Sequence, residues 1–324
     1  MENHQHLRAR VKASQVGHRL DKVLAKLFFE YSRSQIKAWI LDDLVKVNGQ
    51  IRREPKEKML GGETVEIQVV IKETSRWKAE AIPLNIVYED NDILVINKSR
   101  DLVVHPGAGC NTGTVLNALL HYFPPIVNVP RAGIIHRLDK DTTGLMVVAK
   151  TVSAQTRQIK SLQAQEITRE YEAIAIGTMI AGGTVEEPIA RHATKRTHMA
   201  VRPMGKPAVT HYRIMEHFRA HTHLRVKLET GRTHQIRVHM AHINHPLVGD
   251  PMYGGHARLL KGGSKTLKEL LYNFNRQALH ASRLRLYHPI TSLEMEWCAP
   301  LPQDMLKLIA ALKIDSKLFE NSTD

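Results

Sequence analysis

Strand-like segments that follow one another with few helices between them constrain this chain more than any other feature. Beyond residue 84, Ile93–Asn97, Leu145–Lys150, Tyr171–Ile176, Val209–Glu216, Leu224–Glu229 and Leu284–Tyr287 each show the short apolar or alternating pattern of a strand. Helical spacing appears at Thr114–His121, Ala154–Gln165, Thr233–Ile243 and Gln303–Leu312. A doubly wound parallel sheet needs a crossover helix between successive strands, and many of these strands have none. The expected fold is therefore α+β, built on a mixed, largely antiparallel sheet. A chain of 324 residues has room for one large domain and one small one.

The small one is read at residues 16–76. Leu20, Val23, Leu24, Leu27 and Phe28 follow helical spacing, and Ser32 is placed to cap a second helix with Ile36, Trp39 and Ile40 on its apolar stripe. Val45-Lys46-Val47, the turn Asn48-Gly49 and a strand near Thr64–Val69 complete a helix-helix-strand module. Arg19, Arg33 and Lys37 are available to its polar face. Residues 77–84 read as a polar linker and 85–315 as the large domain. Residues 255–276, with Lys261-Gly262-Gly263-Ser264-Lys265, read as a mobile insertion.

The formal charge is +14, which favours an anionic partner. The excess is concentrated: residues 191–240 hold eleven Lys and Arg against Glu216 and Glu229, with eight histidines among them. A solvated charged face mixes both signs, so this stretch reads as a polyanion-binding surface. Two cysteines, Cys110 and Cys298, argue against a disulfide framework and suit a reducing cytoplasm. No apolar run approaches the roughly 20 residues of a membrane span, and Met1 to Arg10 is polar, unlike a secretory signal. Gly107-Ala108-Gly109 lacks the lysine and the strand-to-helix setting of a phosphate loop, so no nucleotide cofactor is expected. Nothing in the chain calls for a required protein partner.

Two stretches can carry chemistry. Ile134-Ile135-His136-Arg137-Leu138-Asp139-Lys140-Asp141-Thr142-Thr143-Gly144-Leu145 sets two carboxylates on a compact loop between core elements. Arg137 and Lys140 flank Asp139 and favour its ionised form, as a nucleophile requires. The same residues also fit a plain turn in which Asp141 and Thr142 satisfy backbone groups. The second stretch runs from Leu228 to Met240. Gly231 ends a strand, Thr233 is placed to cap a helix, and Arg237 lies at the helix's apolar edge. If buried, Arg237 needs a carboxylate, and Asp139 is available; otherwise it snorkels to water. His234, His239, His242 and His245 raise a metal site, but no glutamate or cysteine accompanies them, so no metal is expected.

These residues resemble the motifs of the RluA-type pseudouridine synthases. The resemblance covers His136-Arg137-Leu138-Asp139 with Gly144-Leu145, then Ile96-Asn97-Lys98, Arg169-Glu170-Tyr171, Gly231-Arg232-Thr233-His234-Gln235-Ile236-Arg237, and His245 to Gly254. The N-terminal module resembles the S4 RNA-binding domain. The likeness implies a pseudouridine synthase catalytic domain and an isomerase that converts uridine to pseudouridine without cofactor or metal. It implies Asp139 as catalytic nucleophile, Tyr171 as stacking residue and proton acceptor, and Arg237 as the partner of Asp139. Arg137 would fill the stack left by an extruded base, and His136, Arg232, His234, Gln235, Arg33 and Lys37 would contact RNA. The implied substrate is large-subunit ribosomal RNA or a pre-50S particle, and within the family the likeness is to members acting on the helix-69 stem-loop of 23S rRNA. A silent RNA-binding or ribosome-assembly protein on the same fold is the alternative. A hydrolase using the histidines as metal ligands is the other.

Overall fold

A computed structural model describes residues 2–28, 31, 33–72, 77–107, 110–254 and 263–321. The first unit is a four-stranded sheet with two helices: β1 (Glu2–Arg10), α1 (Leu20–Leu27), α2 (Arg33–Leu41), β2 (Val45–Val47), β3 (Gln50–Ile51) and β4 (Thr64–Lys72), with strand order β1-β4-β2-β3. Leu20, Val23 and Leu24 of α1 and Ile36 and Ile40 of α2 meet Val45, Val65 and Ile67 of the sheet, all without exposed surface. The strand Glu2–Arg10 lies ahead of residue 16, where the module was expected to begin. It pairs antiparallel with β4 along its whole length, which gives that sheet an edge a polar segment can supply. Ser32, the expected cap of α2, and residues 73–76 lie outside the described residues.

The second unit comprises β5 (Ile86–Glu89), β6 (Ile93–Lys98), α3 (Val115–Tyr122), β7 (Thr143–Ala149), α4 (Val152–Gln163), β8 (Thr168–Ile176), β9 (Gly183–Glu186), β10 (Ile189–Arg191), β11 (Met199–Val201), β12 (Val209–His217), β13 (His221–Leu228), α5 (Gln235–His242), α6 (Lys265–Asn273), β14 (Leu279–Tyr287), β15 (Glu294–Cys298) and α7 (Gln303–Glu320). The main sheet runs β5-β6-β7-β14-β8-β13-β12-β9, with β15 added to β14; β10 and β11 form a separate ribbon. Among the described residues, β7 and β14 are its one parallel pair. The mixed, largely antiparallel α+β sheet expected from the sequence is what forms.

β7 is buried on both faces. Met146 and Val148 join Leu94, Ile96, Leu116 and Leu119 on one side, while Leu145 and Val147 join Ile93, Val95, Leu284 and Leu286 on the other. Such a strand is rigid because both faces are packed at core density. Gly144 opens it at φ 113°, and a Cβ there would fall on the backbone of Ala281. The glycine thus lets β7 run against β14, directly after the loop that carries Asp139.

Three expectations need correction. Residues 77–84 are not a free linker: Lys78 O accepts from Asn117 Nδ2 at 2.7 Å, Glu80 N donates to Asn117 O at 3.0 Å, and Ile82 and Leu84 pack on the large core. The insertion read as mobile contains α6, capped by Ser264 and anchored by Leu267 and Leu271 in the same cluster as Leu308 and Leu312 of α7. Its residues 255–262 lie outside the described ones. Thr233 does not cap α5. His234 takes the position before that helix in the left-handed region, φ 56°, and Gln235 makes the turn's hydrogen bonds.

Candidate active site

The loop after Gly133 is tied down at nearly every residue. The ring Nε2 of His136 accepts the Val147 N–H at 3.0 Å, and Leu138 is buried in the core. Thr142 N–H closes a turn on Asp139 O at 3.1 Å, and Gln277 Nε2 donates to Thr142 Oγ1 at 2.9 Å. Two buried cations hold the far side. Lys98 Nζ donates to Ser99 O, Leu102 O and Lys140 O at 2.8, 2.9 and 2.8 Å. Arg276, itself clamped on Asp304, donates to Asp141 O at 3.2 Å. With Leu138 drawn inward, its neighbours face out: Arg137 is exposed and Asp139 points into a cleft of about 520 Å³.

Asp139 meets Arg237 of α5 across 98 residues of sequence, Arg237 Nη1 donating to Asp139 Oδ2 at 2.9 Å. The other edge of the same guanidinium makes a two-pronged bond with Asp250, at 2.7 and 2.9 Å. Arg237 is 4% exposed and Asp250 fully buried. Burial works to lower the arginine's pKa, but the hydrogen bonds and charge of Asp250, then of Asp139, raise it well above the ordinary arginine value. Asp250 also accepts the N–H groups of Met252 and Tyr253, and the Tyr253 ring lies 5.1 Å from the guanidinium carbon. Tyr253 Oη accepts the Met199 N–H at 2.9 Å and bonds His234 Nδ1 at 2.7 Å. His234 Nε2 lies 3.8 Å from Asp139 Oδ1. Burial pushes the His234 pKa down despite the pull of Asp139, so the ring is neutral at pH 7.

Tyr171 and Arg169 share one face of β8, and both line the cleft. Burial raises the Tyr171 phenol above the usual tyrosine value; the Arg169 cation opposes that shift and Asp139 adds to it. At the mouth stand Arg131 and Arg137, with no ion pair among the described residues. Burial, then the charge of Arg137, lowers the Arg131 pKa. Arg232 is half-buried there, its Nε on Pro207 O at 3.0 Å.

The structure separates the residues proposed for RNA contact into two groups. Arg137 faces solvent at the cleft, Arg232 lines it half-buried, and Lys37 is exposed on α2. Arg33 is also exposed, but it shares Asp21 with Arg19, at 2.8 and 3.0 Å. Gln235 is 3% exposed and fully occupied: its Oε1 accepts from Thr230 Oγ1 and Arg232 N, and its Nε2 donates to Val209 O and Thr210 Oγ1. It pins the α5 turn to β12 and has no donor left for RNA. His136, 9% exposed and pushed down to about 3 by burial and then by the charge of Arg169, is a neutral brace for the loop. Three of the four histidines considered as metal ligands are engaged elsewhere: His239 bonds Thr210 Oγ1 and Glu187 O, His245 bonds Ile176 O, and His234 bonds Tyr253.

Sequence reasoning gave no role to Asp250, Tyr253, Lys98, Arg276 or Arg131. For Asp250 the signal was an acid behind Gly249, within reach of an arginine that needed one. For Lys98 it was a lysine closing the otherwise buried strand β6.

The chain is similar to known proteins over nearly its whole length. The family model described as RNA pseudouridylate synthase matches residues 92–242, and the S4 domain model matches residues 18–65. The chain is 69% identical over 318 residues to "Ribosomal large subunit pseudouridine synthase D" of Yersinia pestis, covering 98% of each chain. It is 67% identical over 318 residues to the protein of that name in Escherichia coli K12, again covering 98% of each. In Haemophilus influenzae the figure is 66% over 309 residues and 95% of each. Among solved structures, human RNA pseudouridylate synthase domain containing 1 aligns with TM-score 0.51 and 26% identity over 72% of this chain and 96% of that one.

Proposed function

The chain belongs to the RNA pseudouridylate synthase family, of RluA type, and we propose that it isomerises uridines of large-subunit ribosomal RNA with Asp139 as the catalytic carboxylate. The observation that carries this is the 2.9 Å bond between Asp139 and Arg237 at the inner end of a cation-rich cleft. An arginine never deprotonates at working pH, so a fixed positive charge meets the Asp139 carboxyl throughout.

The reaction breaks the N1–C1′ glycosidic bond, turns the uracil, and joins C1′ to C5. It then removes the C5 proton and returns one to N1. It consumes no redox equivalent and no energy carrier. A paired, stacked uridine hides its glycosidic bond, so the nucleotide must leave the stack, at a cost of a few kcal/mol. Arg137 and Arg131 at the mouth suit the phosphates beside such a nucleotide, and Arg137 suits the gap left behind it. Inside, the Tyr171 ring offers a stacking surface and Asp139 faces the ribose, as nucleophile at C1′ or as base at C2′. The family's proton-acceptor role for the Tyr171 hydroxyl works against its raised pKa. It draws on the Arg169 cation to become available.

The S4 module supplies a second RNA surface through α2, where Lys37 and, less freely, Arg33 are exposed. A stem-loop target such as helix 69 of 23S rRNA, in naked RNA or a pre-50S particle, fits a two-site reader that extrudes a loop base. The cytoplasm is the compartment where that substrate resides. No helix among the described residues is long and apolar enough to cross a membrane.

The test is direct. Purified protein is incubated with a large-subunit stem-loop RNA, and pseudouridine is read by carbodiimide adducts that stop reverse transcription. Wild type should produce the adduct; Asp139→Asn should not, while binding the RNA within about tenfold because the phosphate contacts remain. Conversion by Asp139→Asn would remove the assignment.

A further inference from the structure

Among the described residues three arginines are at least nine-tenths buried, and two of them are held by carboxylates. Arg237 is clamped by Asp250 and Asp139, and Arg276 by Asp304. The third, Arg169, is 7% exposed and has no carboxylate partner among the described residues. Among those residues its one hydrogen bond is long, Nη2 to Glu229 O at 3.4 Å, and its buried Nε has no partner. A buried, unpaired charge costs several kcal/mol. Where a fold tolerates such an expense, the site is usually built to receive something of opposite charge.

The surroundings are shaped for this cation. A Cβ on Gly231 would sit 2.7 Å from Arg169 Nη1, and the Gly231 backbone is not in the left-handed region. The guanidinium thus occupies the space that a side chain at 231 would take. Arg169 also shares its strand face with Tyr171, two residues along, so the two side chains lie about 6.6 Å apart at their roots. Both line the cleft into which Asp139 points.

We propose that Arg169 is a catalytic cation, whose guanidinium receives the negative charge that leaves with the uracil ring. The inference rests on the function proposed above. When N1–C1′ breaks, its electron pair goes to the ring and spreads over N1 and the carbonyl oxygens. The same pair then forms C1′–C5, after which C5 gives up its proton and N1 takes one. The ring is an anion between those two bond changes, whether Asp139 attacks C1′ or removes a proton from C2′. A preorganised, desolvated cation is strongest against charge that develops only in the transition state. Arg237 cannot fill this role, because its charge is already taken up by the carboxylates of Asp250 and Asp139.

The experiment compares Arg169→Gln, Arg169→Lys and Gly231→Ala with wild type under single turnover. Two stem-loop RNAs are used, with uridine or 5-fluorouridine at the target, and loss of the original N-glycoside is measured. Fluorine stabilises the ring anion, so a variant lacking the cation should depend on it more. Arg169→Gln should lose about 100- to 1000-fold on uridine. On fluorouridine its loss should be at least about tenfold smaller, with RNA affinity and its salt dependence unchanged within about threefold. Arg169→Lys should retain part of the rate, and Gly231→Ala should fall between. The melting temperature of Arg169→Gln should hold or rise, because an unpaired buried charge has been removed. Equal losses on both RNAs would overturn the proposal. So would a loss confined to affinity with a shallower salt slope, which marks a phosphate contact, or a drop in melting temperature that accounts for the lost rate. Wild-type protein that converts neither RNA would sink the proposed function as well, whereas those three results sink this inference alone.

Discussion

The guanidinium of Arg237 is held on two of its nitrogens by Asp250, at 2.7 and 2.9 Å, and reaches Asp139 with only the remaining one. Asp250 therefore fixes the plane and position of the arginine, and Asp139 takes what is left. Removing a member of a buried ion array leaves the others uncompensated, which typically costs 3–5 kcal/mol. Asp250→Asn should accordingly lower unfolding stability by about 3 kcal/mol in urea titration. It should also slow single-turnover conversion by about 10- to 100-fold, as loss of an orienting partner does. Unchanged turnover in a folded Asp250→Asn protein would show that Arg237 needs no such support.

Much of this site was legible in the chain, for reasons that differ by residue. Arg237 stood at the apolar edge of a helix, a position that demands a carboxylate, and Asp139 lay on a loop between core segments. The structure pairs them. It gives the larger share of the arginine to Asp250, which sits on irregular backbone where no periodicity reports which way a side chain points. Gln235 and His136 entered as RNA contacts through the family resemblance, which carries a motif without its hydrogen bonds. Their bonds to β12 and β7 show polar groups satisfied within the fold instead. The strand Glu2–Arg10 escaped notice because an edge strand needs backbone pairing more than apolar side chains. The helix Lys265–Asn273 was hidden by the glycines ahead of it, although Leu267 and Leu271 already had helical spacing.

Tyr171 combines a ring and a hydroxyl, and the two are separable. Tyr171→Phe keeps the stacking surface, so RNA affinity and glycoside cleavage should stay within about tenfold of wild type. Removal of the C5 proton should slow by about 100-fold or more, the usual contribution of a positioned base. Burial holds the phenol protonated at neutral pH, so where that step limits, the wild-type rate should climb with pH. Rapid quench with separation of cleaved from rearranged nucleoside reads both steps. Wild-type turnover by Tyr171→Phe would leave the residue a stacking role only.

Lys98 links the loop to pH. Burial brings its pKa from the ordinary 10.5 down to about 7, against the opposing charges of Asp141 and then Asp139. Below pH 7 both the folded and the unfolded chain carry this proton. Between about 7 and 10.5 the unfolded chain binds a proton that the folded one has lost, so stability rises with pH across that window. The gain is at most about 1.4 kcal/mol per pH unit. Lys98→Met has no such proton, so the stability difference between wild type and Lys98→Met should grow in favour of wild type from pH 7 to 9.5. Denaturant titrations at four pH values would show it. A flat difference would mean that the carbonyls of Ser99, Leu102 and Lys140 hold the ammonium charged throughout.

On the S4 module, charge that is already paired should count for less toward RNA than charge that is free. Lys37 is exposed on α2 and has no ion pair among the described residues, whereas Arg33 bonds Asp21 at 2.8 Å beside Arg19. A lysine that neutralises one phosphate adds about one unit to the slope of log affinity against log salt. Lys37→Ala should therefore lower that slope by about one, and Arg33→Ala by clearly less, because Arg33 must share its charge with Asp21. Single-turnover conversion at saturating protein should be unchanged in both, since neither residue lines the cleft that holds Asp139. Filter binding of a stem-loop RNA at five salt concentrations decides it. Equal slope losses for the two variants would show that Arg33 lets go of Asp21 when RNA arrives, and that the ion pair is a resting contact of the free protein.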